Sequence, residues 1–430
     1  MIRTLLLAAL LASPAAAVLA PPEAKMVAAV DAGQAKSLAL LEELVNQNSG
    51  SNNIAGVTAV GVIMRRELDA LGLKTRWIPL TQTGRAGHLV ATNAGKAGTK
   101  HLLLIGHLDT VFEPDSPFQK YVRNGDKAQG PGVADDKGGM VTMLGALAAM
   151  KAAGTLKTAN LEIVLTGDEE STGKPIEAAR ADLIAAGKRA DAALDFEGLV
   201  RIDGRDMGSI ARRSSNSWTL RTTGKSGHSS LIFNAEYGDG AVNELARIVA
   251  AFRAELPEPN LTFNVGLIAG GATAALDEAK TRATATGKPN IIPGTGVARG
   301  DFRTLSQEQT DRVKAKMTAI VARHAPLTGA EIDFDEGYPP MAPTAGNRAL
   351  LAKLNVVNRD LTLPEMPELD PLKRGAGDIA FVAADVDGLV GLGPTSTGDH
   401  SPEETVDIPS IFTQAKRAAI LMSRLASERR

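Results

Sequence analysis

HLLLIGHLDT, residues 101–110, is the stretch that decides the fold class. Its apolar run between two histidines is typical of a strand buried on both faces at the centre of a parallel sheet. LEIVLTG at 161–167 and DAALDFE at 191–197 repeat the pattern of an apolar strand that ends in polar residues. Helical patterns at about 138–152 and 175–186 lie between these strands. Strands that alternate with helices predict an α/β fold with a mostly parallel sheet.

The segment from 212 to 338 has a different character. Its elements follow the order β-α-β-β-α-β, which is typical of an α+β ferredoxin-like unit. After it the alternation of helix and strand resumes and continues to the C-terminus. The simplest interpretation is a small domain inserted into a larger one. The larger domain is then built from residues 21–211 and 339–430, and the inserted domain from residues 212–338.

The N-terminal residues 1–20 have the pattern of a secretory signal peptide. Arg3 is followed by the apolar run Leu5–Leu11 and then by small residues, with possible cleavage after Ala17 or Ala20. A membrane anchor is the alternative, but the run is much shorter than the ~20 apolar residues of a spanning helix. We therefore expect an exported protein, periplasmic or secreted, with no membrane-spanning segment.

The composition limits the kinds of site that the chain can build. It contains no cysteine, which excludes a disulfide, a thiolate nucleophile and a cysteine-ligated metal. A metal must then be held by histidine and carboxylate ligands. The 47 basic residues nearly balance the 49 acidic ones, so no global basic field favours nucleic acid as a partner. Aromatic residues make up only 3% of the chain, which argues against an aromatic groove for single strands.

Histidine and acidic residues recur near the predicted ends of strands, and each occurrence has an ordinary structural interpretation. His107 could be a buried histidine satisfied by a neighbour, an aspartate at 135–136 could cap a helix, and the acids at 168–170 could lie on a solvated loop. The occurrences are GHLDT at 106–110, GPGVADDKGG at 130–139, TGDEE at 166–170, DFE at 195–197 and GDHS at 398–401.

Taken together, these segments predict a metal site. The carboxyl ends of parallel strands meet at one edge of a sheet, where α/β proteins bind their ligands. Two histidines and at least three carboxylates at that edge suit a pair of zinc or similar ions. One carboxylate would bridge the ions and another would move the proton of an activated water.

Six ordered motifs resemble those of the di-zinc glutamate carboxypeptidase / aminoacylase family, and the glutamate carboxypeptidase branch most closely. The resemblance covers nearly the whole chain after the N-terminal segment, including the inserted domain, which it identifies as a lid and dimerisation domain. The motifs are GHLDTV (106–111), GPGVADDKGG (130–139), TGDEES (166–171), DFEG (195–198), GKSGHSS (224–230) and GDHSPEE (398–404).

The resemblance implies two Zn²⁺ per subunit, with Co²⁺ or Mn²⁺ able to serve. It implies that Asp109 orients a histidine ligand, that Glu169 is the general base, and that the Asp135–Asp136 peptide bond is cis. The implied metal ligands are His107, Asp135 as the bridge, Glu170, Glu197 and His400.

Further roles follow from the same resemblance. His228 of the inserted domain would reach the active site of a homodimeric partner and stabilise the oxyanion. Asn290 and Arg303 would hold the substrate, since a guanidinium matches the two oxygens of a carboxylate. Gly375 and Gly377 lie in the loop that would close the substrate end.

The sequence therefore predicts a zinc metallopeptidase that cleaves an amide bond next to a free C-terminal carboxylate, on short peptides or N-acyl amino acids. An N-acyl amino acid deacylase or aminoacylase is an alternative with the same metal chemistry. An exported binding protein that keeps the fold without the chemistry is a second alternative. Loss of a ligand or of Glu169 would mark such a protein, and all of these residues are present.

Overall fold

The computed structural model describes residues 19–430. The predicted signal peptide, including the cleavage site after Ala17, lies outside the described residues except for its last two positions. Across residues 19–430, no helix combines the length and apolar character needed to cross a bilayer.

The helices agree with the periodic segments of the sequence. The second of them begins after Asn53, whose side-chain oxygen accepts a hydrogen bond from Gly56 N and so caps the helix. In chain order the helices are α1 (Pro21–Asn46), α2 (Ile54–Leu71), α3 (Lys137–Ala153), α4 (Ile176–Gly187), α5 (Ala241–Glu255), α6 (Gln307–Val321), α7 (Ala345–Asp360) and α8 (Ile408–Ser427).

The strands form one large sheet, one sheet in the inserted segment and several small ones. In chain order they are β1 (Lys74–Pro79), β2 (Gly87–Asn93), β3 (His101–His107), β4 (Val122–Asn124), β5 (Lys127–Gln129), β6 (Asn160–Thr166), β7 (Ala192–Asp195), β8 (Arg201–Ile202), β9 (Arg205–Asp206), β10 (Ser215–Gly224), β11 (Thr262–Gly271), β12 (Thr273–Leu276), β13 (Ala283–Thr286), β14 (Thr295–Arg303), β15 (Thr328–Tyr338), β16 (Gly388–Leu389), β17 (Ser396–Thr397) and β18 (Thr405–Asp407).

The large sheet has the strand order β1-β2-β6-β3-β7-β16. The four strands β6, β3, β7 and β16 run parallel, and β1 and β2 add an antiparallel edge. Leu102 and Leu104 of β3 join the hydrophobic core on one face, and Leu103 and Ile105 join the core on the other. Because successive side chains point to opposite faces of a strand, a fully apolar run is what a strand covered on both sides requires. The predicted α/β class is confirmed.

The inserted segment has a sheet and a core of its own. Its strand order is β11-β14-β10-β15, all antiparallel, with α5 and α6 packed against it around Trp218, Phe252 and Phe302. The chain enters this unit at Arg212 and returns at Met341, where the two backbones exchange hydrogen bonds of 3.0 and 2.9 Å. The pairing β12–β13 is an addition that the sequence pattern did not predict.

A small sheet of order β17-β18-β5-β4 also went unpredicted, because its strands are only two or three residues long. In it β18 pairs with β5, which lies near the start of the motif at 130–139. The loop that joins β17 to β18 carries the motif at 398–404. Two of the predicted ligand segments, far apart in sequence, are thereby held side by side.

Candidate active site

Three neighbouring parallel strands deliver polar side chains to one edge of the large sheet. His107 is the last residue of β3, Glu169 and Glu170 follow β6, and Glu197 follows β7. The β3 strand lies between the other two in the sheet, so their carboxyl ends converge. The helix α3 starts directly after Asp135 and Asp136 and packs against β3.

Asp135 lies between the two predicted histidine ligands. Its Oδ1 is 3.0 Å from His107 Nε2, and its Oδ2 is 3.1 Å from His400 Nε2. The bond between Asp135 and Asp136 is cis, as the resemblance implied. A carboxylate that turns one oxygen toward each of two imidazoles has the arrangement needed to bridge two cations.

Asp109 fixes both His107 and the loop that follows β6. Its backbone oxygen lies 3.1 Å and its Oδ1 3.5 Å from His107 Nδ1, which leaves Nε2 directed at Asp135. Its carboxylate also accepts hydrogen bonds from the backbone N–H groups of Glu169 and Glu170, at 3.0 and 3.1 Å. Burial alone would lower the pKa of His107, but the carboxylates of Asp109 and Asp135 raise that pKa well above its usual value.

Two overlapping groups of side chains each place three atoms that could ligate a metal within 4.8 Å of one another. The first consists of His107, Glu169 and Glu170, and the second of Asp135, Glu170 and His400. The second group contains every ligand that the resemblance implies for one of the two metals, namely the bridging Asp135 with Glu170 and His400. The first differs from the set implied for the other metal, which is His107, Asp135 and Glu197, because it holds Glu169 and Glu170 in place of Asp135 and Glu197.

The site concentrates carboxyl groups that favour a bound cation. Burial raises the pKa of Asp136 and of Glu169 well above their usual range, and it raises those of Glu170 and Asp195 to about 7. Hydrogen bonds to carboxylates raise the pKa of His400 to about 11. Buried acids that repel each other ionise readily only beside a positive charge, which a divalent ion supplies.

The donor atoms present fit such an ion. Asp136 Oδ1 and Asp195 Oδ2 are buried without a hydrogen-bond partner among the described residues. Imidazole nitrogen and carboxylate oxygen, with no sulfur, are ligands for zinc and related divalent metals. His107, Asp135, Glu170 and His400 are therefore the residues best placed to hold a pair of ions.

Glu197 has two arginine partners that the sequence did not reveal. Arg212 Nη1 lies 2.5 Å and Arg374 Nη2 3.4 Å from Glu197 Oε2. A Cβ added to Gly377 would come within 2.0 Å of Arg212 Nη1 and 2.5 Å of Glu197 Oε1, so a side chain at this position would displace the pair. Arg374 directly precedes Gly375 in the loop that the resemblance places at the substrate end, but Arg212 carries no local signal. The ligand role of Glu197 stays a prediction.

A cavity of about 690 Å³ opens beside these residues. Glu169, Glu170 and His400 line it, and so does Arg303 at the end of β14. Gly375 also lines it, near enough that an added Cβ would be 3.5 Å from Arg303 Nη1. The metal-site carboxylates and a guanidinium that can receive an anion therefore share one space.

His228 and Asn290 lie together, away from this cavity. Their loops meet where Ser229 N donates to Asn290 O at 3.0 Å, and both side chains are exposed or nearly so. Asn290 precedes the start of β14, whereas Arg303 ends it, and eight steps of about 3.4 Å separate the ends of that strand. Within one chain the structure does not bring Asn290 beside Arg303, or His228 beside the metal-site residues.

Tyr338, the last residue of β15, is a site residue that sequence reasoning missed. Its hydroxyl donates to Glu169 O at 2.7 Å and accepts from Arg180 Nη2 at 2.8 Å. Arg180 is fully buried and also bonds the carboxylates of Asp168 and Asp378. The end of the inserted domain is thus hydrogen-bonded to the backbone of the predicted general base.

Comparisons with known proteins agree with this geometry. Carboxypeptidase G2 of Pseudomonas sp. (strain RS-16) is 27% identical over 401 residues, covering 90% of this chain and 88% of that protein. Succinyl-diaminopimelate desuccinylase of Azoarcus sp. (strain BH72) is 27% identical over 399 residues, covering 88% and 95%. The crystal structure of a tripeptidase from Staphylococcus aureus superposes with a TM-score of 0.71 at 19% identity, covering 92% of this chain and 99% of that one.

A family model gives the assignment. The model described as peptidase family M20/M25/M40 matches residues 103–424, well over half of the chain. The match begins in β3 and ends in α8, so it contains every residue to which the sequence analysis gave a catalytic, substrate-binding or metal-binding role. The chain belongs to peptidase family M20/M25/M40 and is a hydrolase of this metallopeptidase family.

Proposed function

We propose that the protein is a di-zinc exopeptidase of the carboxypeptidase type, which cleaves the amide bond next to a free C-terminal carboxylate. The observation that carries the proposal is Asp135, with one oxygen toward His107 and the other toward His400, in the cavity that Arg303 lines. The substrates are short peptides or N-acyl amino acids. The N-terminal pattern supports export of the enzyme.

The bound ions would supply a water of lowered pKa and polarisation of the scissile carbonyl. Asp135, His107, Glu170 and His400 would hold them. Glu169 is placed to take the proton of that water and to pass it to the leaving amine. Its side chain lines the cavity, and burial, followed by the charges of neighbouring carboxylates, raises its pKa, so it retains a proton more readily than an exposed glutamate.

The homodimer is part of the proposal. His228 is at a distance from the cavity of its own chain, yet its ring is exposed and Ser230 hydrogen-bonds its Nδ1. A second copy whose inserted domain lies over the cavity would bring His228 and Asn290 to the substrate there. A neutral or charged imidazole N–H can then stabilise the oxyanion. Light scattering, with a His228→Ala variant assayed for rate and zinc content, tests this step.

A panel of substrates tests the proposed specificity. The purified enzyme with added zinc would be given dipeptides with C-terminal glutamate, N-acetyl amino acids and N-succinyl amino acids, each with and without a chelator. Chelator-sensitive release of the C-terminal amino acid from dipeptides supports the carboxypeptidase. Cleavage of only the N-acyl series would favour the deacylase alternative, which the match to a desuccinylase at the same 27% identity keeps open.

Arg303 is expected to determine affinity for the substrate carboxylate. Replacing it with methionine should lower kcat/KM about 10- to 100-fold, mainly through KM, because a charged hydrogen-bonded contact is worth about 1.5–3 kcal/mol. Steady-state kinetics measure the effect. Arg221→Met is the matched control, since that guanidinium is on β10, outside the residues lining the cavity. An unchanged KM in the Arg303 variant would contradict the role.

Tyr338→Phe is expected to lower kcat about fivefold and to leave KM and zinc content unchanged. The change removes the hydroxyl that donates to Glu169 O, a contact of about 1 kcal/mol, without altering the ring. Tyr237→Phe, in the same inserted segment but away from the cavity, is the control. Equal kcat values for the two variants would mean that Tyr338 does not orient the base.

A further inference from the structure

Glu404 is a buried acid, four residues after His400 in the sequence, to which neither the motifs nor the proposed mechanism gives a task. Glu404 is only 1% exposed to solvent, whereas the adjacent Glu403 is exposed. A buried carboxylate is costly unless it is hydrogen-bonded. The identity of its partners therefore matters.

The partners are backbone N–H groups of the loop that carries Asp135. Glu404 Oε2 accepts from Gly132 N at 3.1 Å, and Oε1 accepts from Ala134 N at 3.0 Å and from Asp135 N at 3.2 Å. Gly132 has a φ of 71°, in the left-handed region, and in the turn that follows only Val133 N points elsewhere, to Gly130 O at 3.1 Å. Backbone N–H groups that converge in this way form a nest for an anionic group, here a side chain of the same protein.

This contact connects the two loops that supply the histidine–carboxylate pair of the second metal group. One loop lies beyond β5 and the other joins β17 to β18, and more than 260 residues separate Glu404 from its partners. Burial raises the pKa of Glu404 to about 8, and the three backbone N–H donors oppose that rise because they stabilise the ionised carboxylate. One of the three bonds holds the backbone of Asp135 itself and the other two hold the turn before it, so together they fix where its carboxylate points relative to His400.

We propose that Glu404 is a positioning residue for the metal centre, which holds the bridging Asp135 and the His400 loop in ligand geometry before an ion binds. The inference rests on the metal-binding half of the proposed function and not on the choice of substrate. Residues that orient metal ligands typically contribute about 10- to 100-fold to metal affinity. Glu404 acts through Asp135 and does not touch substrate.

Glu404→Gln is the informative variant. Its amide keeps the shape of the side chain, but in either orientation the NH₂ group faces at least one backbone N–H donor. We expect affinity for zinc, measured by competition with a chromophoric chelator, to fall about 10-fold or more. Saturating zinc should restore most of the activity, because no catalytic group is lost. Glu403→Gln makes the same substitution at the adjacent exposed residue and should match the wild type.

Equal zinc affinity in Glu404→Gln and Glu403→Gln would overturn the inference. If Glu404→Gln does not fold, hydrogen exchange of the metal-free wild type decides instead. Protection of the segment 130–136 supports a preformed nest, and exchange as fast as that of an exposed loop contradicts it. A wild type that binds no zinc would contradict the proposed function, and this inference with it. A zinc-binding wild type with an unaffected variant contradicts only the inference.

Discussion

Replacing Glu169 with glutamine is expected to lower kcat by about 10²- to 10⁴-fold, the range for loss of a general acid–base group. The side chain lines the cavity, next to Glu170, and its backbone N–H is fixed by Asp109. Glutamine keeps that backbone contact and the volume of the side chain. It cannot accept a proton from water, so the chemical step is lost while the architecture remains.

The zinc content of this variant distinguishes proton transfer from metal binding. We expect the Glu169→Gln protein to hold as much zinc as the wild type, measured by inductively coupled plasma mass spectrometry after gel filtration. Glu177→Gln, an exposed glutamate in the first turn of α4, is the control for the charge change. Because Glu169 also stands in one of the two groups of clustered ligand atoms, loss of zinc together with activity would reassign it as a ligand.

The large sheet could be predicted because its signal is local. The strand β3 carries four consecutive apolar residues, which join cores on both faces of the sheet. The polar residues that follow β3, β6 and β7 then had to meet at one edge, whatever the connecting helices were. The sequence pattern was therefore sufficient to predict a shared position for His107, Glu169 and Glu170, and the structure brings their ligand atoms together.

The contacts that complete the site could not be predicted in the same way. Arg212 reaches Glu197, and Tyr338 reaches Glu169, at the two places where the chain passes between the larger domain and the inserted one. Such pairs are set by packing of distant segments, and neither residue stands in a periodic or motif context. The strands β17 and β18, which place His400, are too short to carry a periodicity.

Asn290 illustrates the limit of transferring roles along a sequence. The resemblance implies that Asn290 and Arg303 together hold the substrate, and their separation of 13 residues in the sequence is compatible with such a pair. In the fold, a nine-residue strand occupies most of that interval and sends the two residues to opposite ends. Within one subunit, Arg303 lines the cavity and Asn290 lies at the other end of the strand. A role in substrate binding for Asn290 therefore depends on the proposed partner subunit.

Asp135→Asn is expected to lower kcat/KM by at least about 10³-fold, or ~4 kcal/mol of transition-state stabilisation. The carboxylate turns one oxygen toward His107 and the other toward His400, whereas an amide offers one oxygen and an NH₂ group. The NH₂ group cannot ligate a cation, so the variant can serve at most one ion. Zinc content should fall to one per chain or less, measured beside Asp115→Asn, an exposed aspartate, as the control.

The two active-site variants fail in different ways if the proposed function holds. Glu169→Gln keeps its zinc and loses turnover, while Asp135→Asn loses zinc and turnover together. Added zinc should rescue neither, since one lacks the proton acceptor and the other lacks the bridge. A full complement of zinc and normal kcat/KM in Asp135→Asn would rule out the bridging role. The two ions would then have to be held independently, by His107 with Glu169 and by His400 with Glu170, and the arrangement of both imidazoles around Asp135 would have no role in metal binding.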